Sequence, residues 1–336
     1  CINKGQRDGY VQVNGYYVMT SDGKVCILSG GVGGAKLVLG MSEILDPKEF
    51  IVVANTGDDF VHLGLHISPD IDTLVYTLSG MVDEKRGWGL KDESWNFLGA
   101  VKELGGETWF NLGDKDLAMH VERTKELKAG VSLSQVTKKL SAALGVKIDI
   151  IPMADSSVAT TILTDDGPLA FQHYFVRDKC NPKVKGFKFE GLDKARPAEG
   201  INRFNAEKQK ALLIAPSNPF VSIDPILGIP KLRETFIGSC HVRLAVSPIV
   251  GGIAIKGPAA KMMSELGIPS TATEVARHYL GLIDGIVIDE VDRDQASQIE
   301  SLGIKPFVTK TVMSTLDDKI GLATDCIEYI DYLAGK

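Results

Sequence analysis

Cysteine is scarce in this chain. There are five in 336 residues, at positions 1, 26, 180, 240 and 326, and no two form a C-x-x-C pair. That excludes a disulfide framework and a zinc ribbon, and it suits a reducing, cytoplasmic setting. Long apolar runs are also lacking. A membrane-spanning helix needs about 18 or more such residues. The longest candidate, Leu244 to Ile255, is interrupted by Pro248, Gly251 and Gly252 and stops at Lys256. No basic start followed by an apolar stretch marks a secretory signal. There is no block of Lys and Arg, and the formal net charge is −6. An electrostatic footprint for nucleic acid is therefore missing. No internal repeat and no low-complexity linker divides the chain.

The composition is that of a globular protein, 44% hydrophobic and 24% charged. The length allows roughly two domains, or one large α/β domain with an insertion. Residues 1–18 lead into no obvious element, and Met19 stands shortly before the first convincing strand, so residues 1–23 are expected to be an extension. The alternative is a hairpin turning at Asn14-Gly15, a favoured turn pair. Apolar strands are expected at Val25–Leu28, Phe50–Ala54, Ile148–Ile151, Ala211–Ala215, Val242–Val246 and Gly285–Ile288. Helical patterns cover Leu37–Leu45, Asp70–Gly80, Leu133–Leu144, Ala259–Leu266, Thr273–Leu282 and Asp317–Leu333. Fully apolar strands separated by helices predict a parallel sheet covered on both faces. Residues 80–145 read as a mainly helical insertion, and residues 160–200 as short strands in a hairpin or flap. The economical fold is a single α/β domain over residues 24–336, with a Rossmann-like, doubly wound, mostly parallel sheet.

The first strand empties into Ser29-Gly30-Gly31-Val32-Gly33-Gly34-Ala35-Lys36 and then a helix. Glycines let a ligand approach the backbone, and a helix start offers free N–H groups and a favourable dipole to an anion. The dinucleotide fingerprint fails here: Lys36 stands in place of its third glycine, and the second strand ends in Asn55 rather than an acid. The Walker pattern fails at Ala35-Lys36-Leu37. A phosphate or pyrophosphate cradle is therefore expected over a nicotinamide site, the bland alternative being a turn that serves packing alone. After the second strand come Asn55-Thr56-Gly57-Asp58-Asp59 and then Ser68-Pro69-Asp70-Ile71-Asp72-Thr73, four carboxylates within fifteen residues. Beside a phosphate cradle such oxygen ligands suit Mg²⁺, and one carboxylate can serve as a general base. Asp59 and Asp72 are the expected functional pair. Ser68 and Asp70 can equally cap the helix that follows.

His62 and His66 have the spacing of a zinc helix, but Gly64 lies between them and no base Glu accompanies them, so a packing or loop role is expected. Lys115, His120 and Arg123 form a cationic group able to meet a phosphate. Three further strand ends carry small polar residues, at Met153–Ser157, Pro216–Pro219 and Ser247–Gly252. Ligand crevices of open α/β sheets lie at such ends. Trp88, Trp95, Phe171, Tyr174 and Phe175 can face a planar ring or fill core.

Taken together, the motifs at 29–36, 55–59, 68–73, 112–116, 216–219 and 246–252, with Lys-Gly-Pro-Ala-Ala-Lys-Met-Met at 256–263, resemble the 2-phospho-L-lactate transferase family of coenzyme F-420 biosynthesis (CofD, with FbiA as its actinobacterial form). The resemblance spans roughly residues 24 to 335. It implies a magnesium-dependent, dimeric, cytoplasmic transferase. The donor would be a guanosine diphosphate carrying phospholactate, or its enolpyruvyl or glyceryl equivalent. The acceptor would be the ribityl hydroxyl of the deazaflavin FO, and GMP would be released. On this resemblance Asp59 and Asp72 are the metal and catalytic residues. Gly30, Gly31, Gly33, Gly34, Lys36, Asn55 and Lys115 hold the donor's phosphates, and Ser217, Asn218, Ser247 and Gly251 hold its guanine nucleotide. Lys115 stands where relatives often have Arg, which keeps a cation but loses bidentate geometry. Met-Ala-Asp-Ser-Ser at 153–157 replaces the Met-Ser-Asp-Asp-Pro of many relatives, which removes a carboxylate at Ser156. The competing readings are a nicotinamide oxidoreductase with an atypical glycine loop and a non-catalytic nucleotide or deazaflavin binder.

Overall fold

The computed structural model describes residues 10–13, 16–19, 23–83, 86, 88–206 and 208–335. Most of the expected extension lies outside the described residues, as do Asn14 and Gly15. Within it, the backbones of β1 (Tyr10–Val13) and β2 (Tyr16–Met19) pair as an antiparallel hairpin. Next come β3 (Val25–Ser29), α1 (Gly31–Ile44), β4 (Phe50–Ala54) and a short hairpin of β5 (Phe60–His62) with β6 (Leu65–Ile67). Four helices lead on from it: α2 (Pro69–Leu78), α3 (Asn96–Glu103), α4 (Asp114–Lys128) and α5 (Leu133–Ala143). They deliver the chain to β7 (Asp149–Pro152) and then to β8 (Ala159–Thr164), β9 (Gly167–Ala170) and β10 (Val184–Glu190). The second half runs through α6 (Glu199–Phe204), β11 (Gln209–Ile214), α7 (Asp224–Leu227), α8 (Leu232–Ser239) and β12 (Cys240–Val246). It continues with β13 (Ile249–Val250), β14 (Ile253–Ala254), α9 (Ala259–Glu265), α10 (Ala272–His278), β15 (Gly285–Asp289), α11 (Ala296–Glu300), β16 (Lys305–Thr309) and α12 (Leu316–Leu333).

Seven strands form one sheet in the order β16-β15-β12-β11-β3-β4-β7, and every neighbouring pair is parallel. The chain winds outward from β3 through β4 to β7, returns to β11 on the other side of β3, and then proceeds to β16. This doubly wound order places a topological switch point between β3 and β11, where α/β sheets take their ligands. Alternate residues of each strand enter opposite cores. Val25 and Ile27 pack with α1 and α12 on one face, while Cys26 and Leu28 pack on the other with Ile162, Tyr174 and Ile226. The expected flap is a separate three-stranded antiparallel sheet, ordered β10-β8-β9.

The expected strands and helices are all present, with ends shifted by a few residues. β16 is an addition. Its sequence, Lys-Pro-Phe-Val-Thr, contains Pro306, which argues against a central strand, and β16 indeed lies at the sheet's edge.

Helices α1 and α12 approach closely because Gly40 has no side chain: a Cβ there would sit 2.1 Å from the carbonyl oxygen of Lys319. That is backbone, which cannot rotate away. Gly40→Ala is expected to lower stability by about 1–3 kcal/mol, the usual cost of overpacking, despite alanine's better helix propensity. Denaturant unfolding of the two proteins checks this, and equal midpoints would refute the close approach.

Candidate active site

At the switch point, β3 ends in Ser29 and α1 begins at Gly31, with Gly30 between them. Gly30 N–H donates to Ser217 Oγ at 3.1 Å, and that hydroxyl donates back to Gly30 O at 2.8 Å. The loop after β11 is thereby tied to the glycine turn. The glycines serve different ends. Gly31 has φ +68° with open space around a Cβ, so the backbone conformation requires it. At Gly33 a Cβ would meet Pro216 O at 2.4 Å, and at Gly34 it would meet Ser29 Oγ at 2.3 Å, so these two are demanded by packing. Gly31 N–H donates to Asp70 Oδ1 at 2.5 Å. The N–H groups of Val32 and Gly33 remain as first-turn donors without intrahelical partners.

The acidic loops separate into two kinds of carboxylate. Asn55, at the end of β4, donates its Nδ2 to Asp58 Oδ1 at 3.3 Å and to Asp70 Oδ2 at 2.9 Å. Gln172 Nε2 reaches Asp58 Oδ2 at 3.2 Å. Asp58 and Asp70 are both buried, and no cation pairs with either among the described residues. Burial, reinforced by the charges of Asp70 and Asp59, pushes Asp58 well above the carboxylate range. Burial also pushes Asp70 up to about 6, against the hydrogen bonds from Asn55 and Gly31. The other two carboxylates have basic neighbours, although burial raises Asp59 as well. Asp59 lies 3.1 Å from His66 Nε2 and accepts from Ser68 Oγ at 2.7 Å. Asp72 takes both terminal nitrogens of Arg123, a side chain only 1% exposed.

Beyond Asp72, His120 Nδ1 is 3.7 Å from Asp72 Oδ2 and its Nε2 is 3.2 Å from Asp116 Oδ1. The Tyr76 hydroxyl donates to Asp116. Asp72, Asp116 and His120 thus bring three potential ligand atoms within 4.8 Å of one another. Arg123 already supplies positive charge to that cluster. The Asp58–Asp70 pair offers only oxygen, carries no countercharge and adjoins the glycine turn, which is the donor set a hard divalent cation prefers.

A cavity of about 420 Å³ opens over these groups. Tyr76, Trp88, Phe110, Phe171 and Phe175 contribute aromatic surface to its wall. Arg86 stacks on Trp88 and Trp95, 5.2 and 5.3 Å from their ring centroids, and pairs with Asp83 at 2.8 Å. Of the residues expected from sequence, Gly30, Gly31, Gly33, Asn55, Asp72, Ser217 and Asn218 line the cavity. Gly34 lies behind the turn. Lys36 is on the far side of α1 and donates to Met313 O at 2.7 Å. Asp59 faces His66, and Lys115 donates to Lys91 O at 3.0 Å. Ser247 and Gly251 follow β12, one strand beyond the switch point, where they bond Ile249 O and Asp292. Arg123 is consumed by Asp72. His62 stands in an aromatic cluster with Phe60, Trp109 and Phe110. Ser68 does occupy the position before α2, but its hydroxyl goes to Asp59, and the Asp70 carboxylate caps α1 rather than its own helix. Asp58, Gln172, Asp116 and Lys256 are cavity residues beyond the expected set. Asp58 had a visible signal in its motif, whereas Gln172 had none.

A carboxyl raised on folding favours the folded state at low pH, and that contribution is lost as pH rises from about 4 through about 6. Asp70→Asn removes the titration. Without divalent ions, the stability of this variant relative to the parent is expected to rise by up to about 3 kcal/mol between about pH 4 and about pH 7. Urea unfolding across that range tests it, and a constant offset would show that Asp70 titrates normally.

Comparison with known proteins finds relatives along most of the chain. Residues 25–312 match the family model described as 2-phospho-L-lactate transferase CofD. The phosphoenolpyruvate transferase of Streptomyces griseus is 35% identical over 91% of this chain and 98% of its own. The 2-phospho-L-lactate transferase of Methanosarcina mazei is 38% identical over 88% of this chain and 97% of its own. Among solved structures, a UPF0052 family protein from Bacillus halodurans superposes with a TM-score of 0.60 at 14% identity, covering 93% of this chain and 99% of that one, a likeness of fold alone. The chain therefore belongs to the 2-phospho-L-lactate transferase (CofD) family.

Proposed function

We propose that this protein transfers a phospho-hydroxyacid group from a guanosine diphosphate-activated donor to the ribityl hydroxyl of FO in coenzyme F-420 biosynthesis. The group is 2-phospho-L-lactate or its phosphoenolpyruvyl or 3-phosphoglyceryl equivalent. The hydroxyl oxygen bonds to the phosphorus that carries the acid, the diphosphate bridge breaks, GMP leaves, and the hydroxyl proton is released. The observation that carries this reading is the meeting, at one switch point, of a glycine-rich helix start and two buried carboxylates without a countercharge.

In this reading the free N–H groups of the first turn of α1 bind the diphosphate. Asp58 and Asp70 would hold Mg²⁺, which supplies charge neutralisation as the phosphoryl bond breaks. That departs from the Asp59 and Asp72 pair expected from sequence, because Arg123 already pairs with Asp72, and His66 and Ser68 both engage Asp59 Oδ2. Asp72, fixed by Arg123, lines the cavity as the carboxylate that would take the proton of the acceptor hydroxyl, and Asp59 supports the loop behind it. Ser217 and Asn218 border the nucleotide side, while the aromatic wall gives a planar ring apolar surface. The same reading makes the protein a cytoplasmic homodimer. No helix among the described residues is long and apolar enough to cross a membrane.

Incubation with FO, Mg²⁺ and each of the three guanylated donors tests the proposal. GMP should accumulate one-for-one with a more acidic deazaflavin whose visible absorption persists, and mass spectrometry of the product identifies the acid. EDTA should stop the reaction, and omission of NAD(P) should change nothing. Nicotinamide-dependent bleaching without GMP would overturn the reading in favour of an oxidoreductase. Asp72→Asn should lower turnover at least ~100-fold in a protein that melts normally.

A further inference from the structure

Gln172 belongs to none of the motifs, yet the fold delivers it to the acidic centre. β9 ends at Ala170, and the chain turns through a π-helical segment at His173–Arg177. Such segments are uncommon and occur often at functional sites. Gln172 is 4% exposed, and its Nε2 donates to Asp58 Oδ2 at 3.2 Å. From the opposite side Asn55 Nδ2 donates to Asp58 Oδ1 at 3.3 Å. Each oxygen of Asp58 therefore has one carboxamide donor and keeps a lone pair for a second partner. Phe171, Phe175 and Val176, which flank Gln172, line the same cavity.

The type of donor matters. A guanidinium, as at Asp72, orients a carboxylate and cancels its charge together. A carboxamide orients it and leaves the charge intact. Two amides on Asp58 thus hold a buried anion in place while preserving its attraction for a cation, although burial of such an anion is costly unless something else compensates it.

We propose that Gln172 is a positioning residue for a divalent cation, fixing the Asp58 carboxylate toward the glycine turn so that Asp58 and Asp70 bind the ion together. This rests on the ion-site reading given above. It also joins metal binding to the aromatic flap, since one turn of chain carries both Gln172 and the phenylalanines of the wall. Hydrogen bonds that orient a metal-ligating carboxylate typically govern metal affinity by about 10–100-fold.

The test is Mn²⁺ binding followed by the electron paramagnetic resonance of free Mn²⁺, alongside the rise in melting temperature that Mg²⁺ produces. Gln172→Met keeps the length of the side chain and removes the donor. It should melt close to the parent without metal, bind Mn²⁺ about 10–100-fold more weakly, and lose most of its stabilisation by Mg²⁺. Gln172→Ala should do the same. Parent-like Mn²⁺ affinity in a folded Gln172→Met protein overturns the proposal. Collapse of both variants without metal also overturns it, assigning Gln172 to the fold alone. The parent and Asp58→Asn run in parallel separate the two levels. If the parent binds no Mn²⁺, or Asp58→Asn binds it as the parent does, the ion-site reading fails and the inference with it. If Asp58→Asn alone loses Mn²⁺, only the inference fails.

Discussion

The hydrogen bond from Gly31 N–H to the Asp70 carboxylate fastens the site together. It joins the start of α1 to the start of α2 across the end of β4, so two helices that leave different strands converge on one point. The bond needs Gly31 in a left-handed conformation, Asp70 in the first turn of a helix opened by Pro69, and Asn55 to hold the second oxygen. The Ser217–Gly30 exchange adds the loop after β11 to the same knot. All four pieces come from segments beside the switch point, which is why the site sits there and not at the other strand ends.

The charge balance of the cavity follows from that knot. Four carboxylates crowd into one region, and mutual repulsion would be prohibitive without compensation. Asp72 is relieved by Arg123, while Asp59 has only the hydrogen bonds of His66 and Ser68 against its burial. Asp58 and Asp70 receive only amide and backbone donors, so their burial raises them toward protonation. On the proposed reading this division is useful, because Asp72 builds the wall while Asp58 and Asp70 keep their attraction for positive charge.

Much of the fold was legible in the chain. The apolar strands around Ile27 and Leu213 read as a parallel sheet because both their faces are buried, and the glycine turn announced itself through residue type alone. The site was legible in part. Asp72 and Asn55 stood in visible motifs and do line the cavity, but which neighbour of Asp58 and Asp59 faced inward depended on the turn at Gly57 and on His66 being close enough to claim Asp59. Lys36 and Lys115 had suitable charge, yet helical phase carries Lys36 to Met313 O and local bonding holds Lys115 at Lys91 O. Ser247 and Gly251 do not line the cavity, since β11 separates their strand from β3. Gln172 was invisible because its partner is far away in the chain, and only the flap's return brings the two together.

The proline in β16 has a consequence outside the active site. An outer strand of a parallel sheet exposes unpaired N–H and C=O groups, a template on which another chain can add itself. Parallel sheets assemble slowly from distant segments, which prolongs the time such edges stand open during folding. Pro306 deletes one donor from that row, and Lys305 beside it adds a charge that a newcomer would have to desolvate. This edge is thereby blunted against a further strand, and a residue that looks like a defect in a strand is a guard against aggregation.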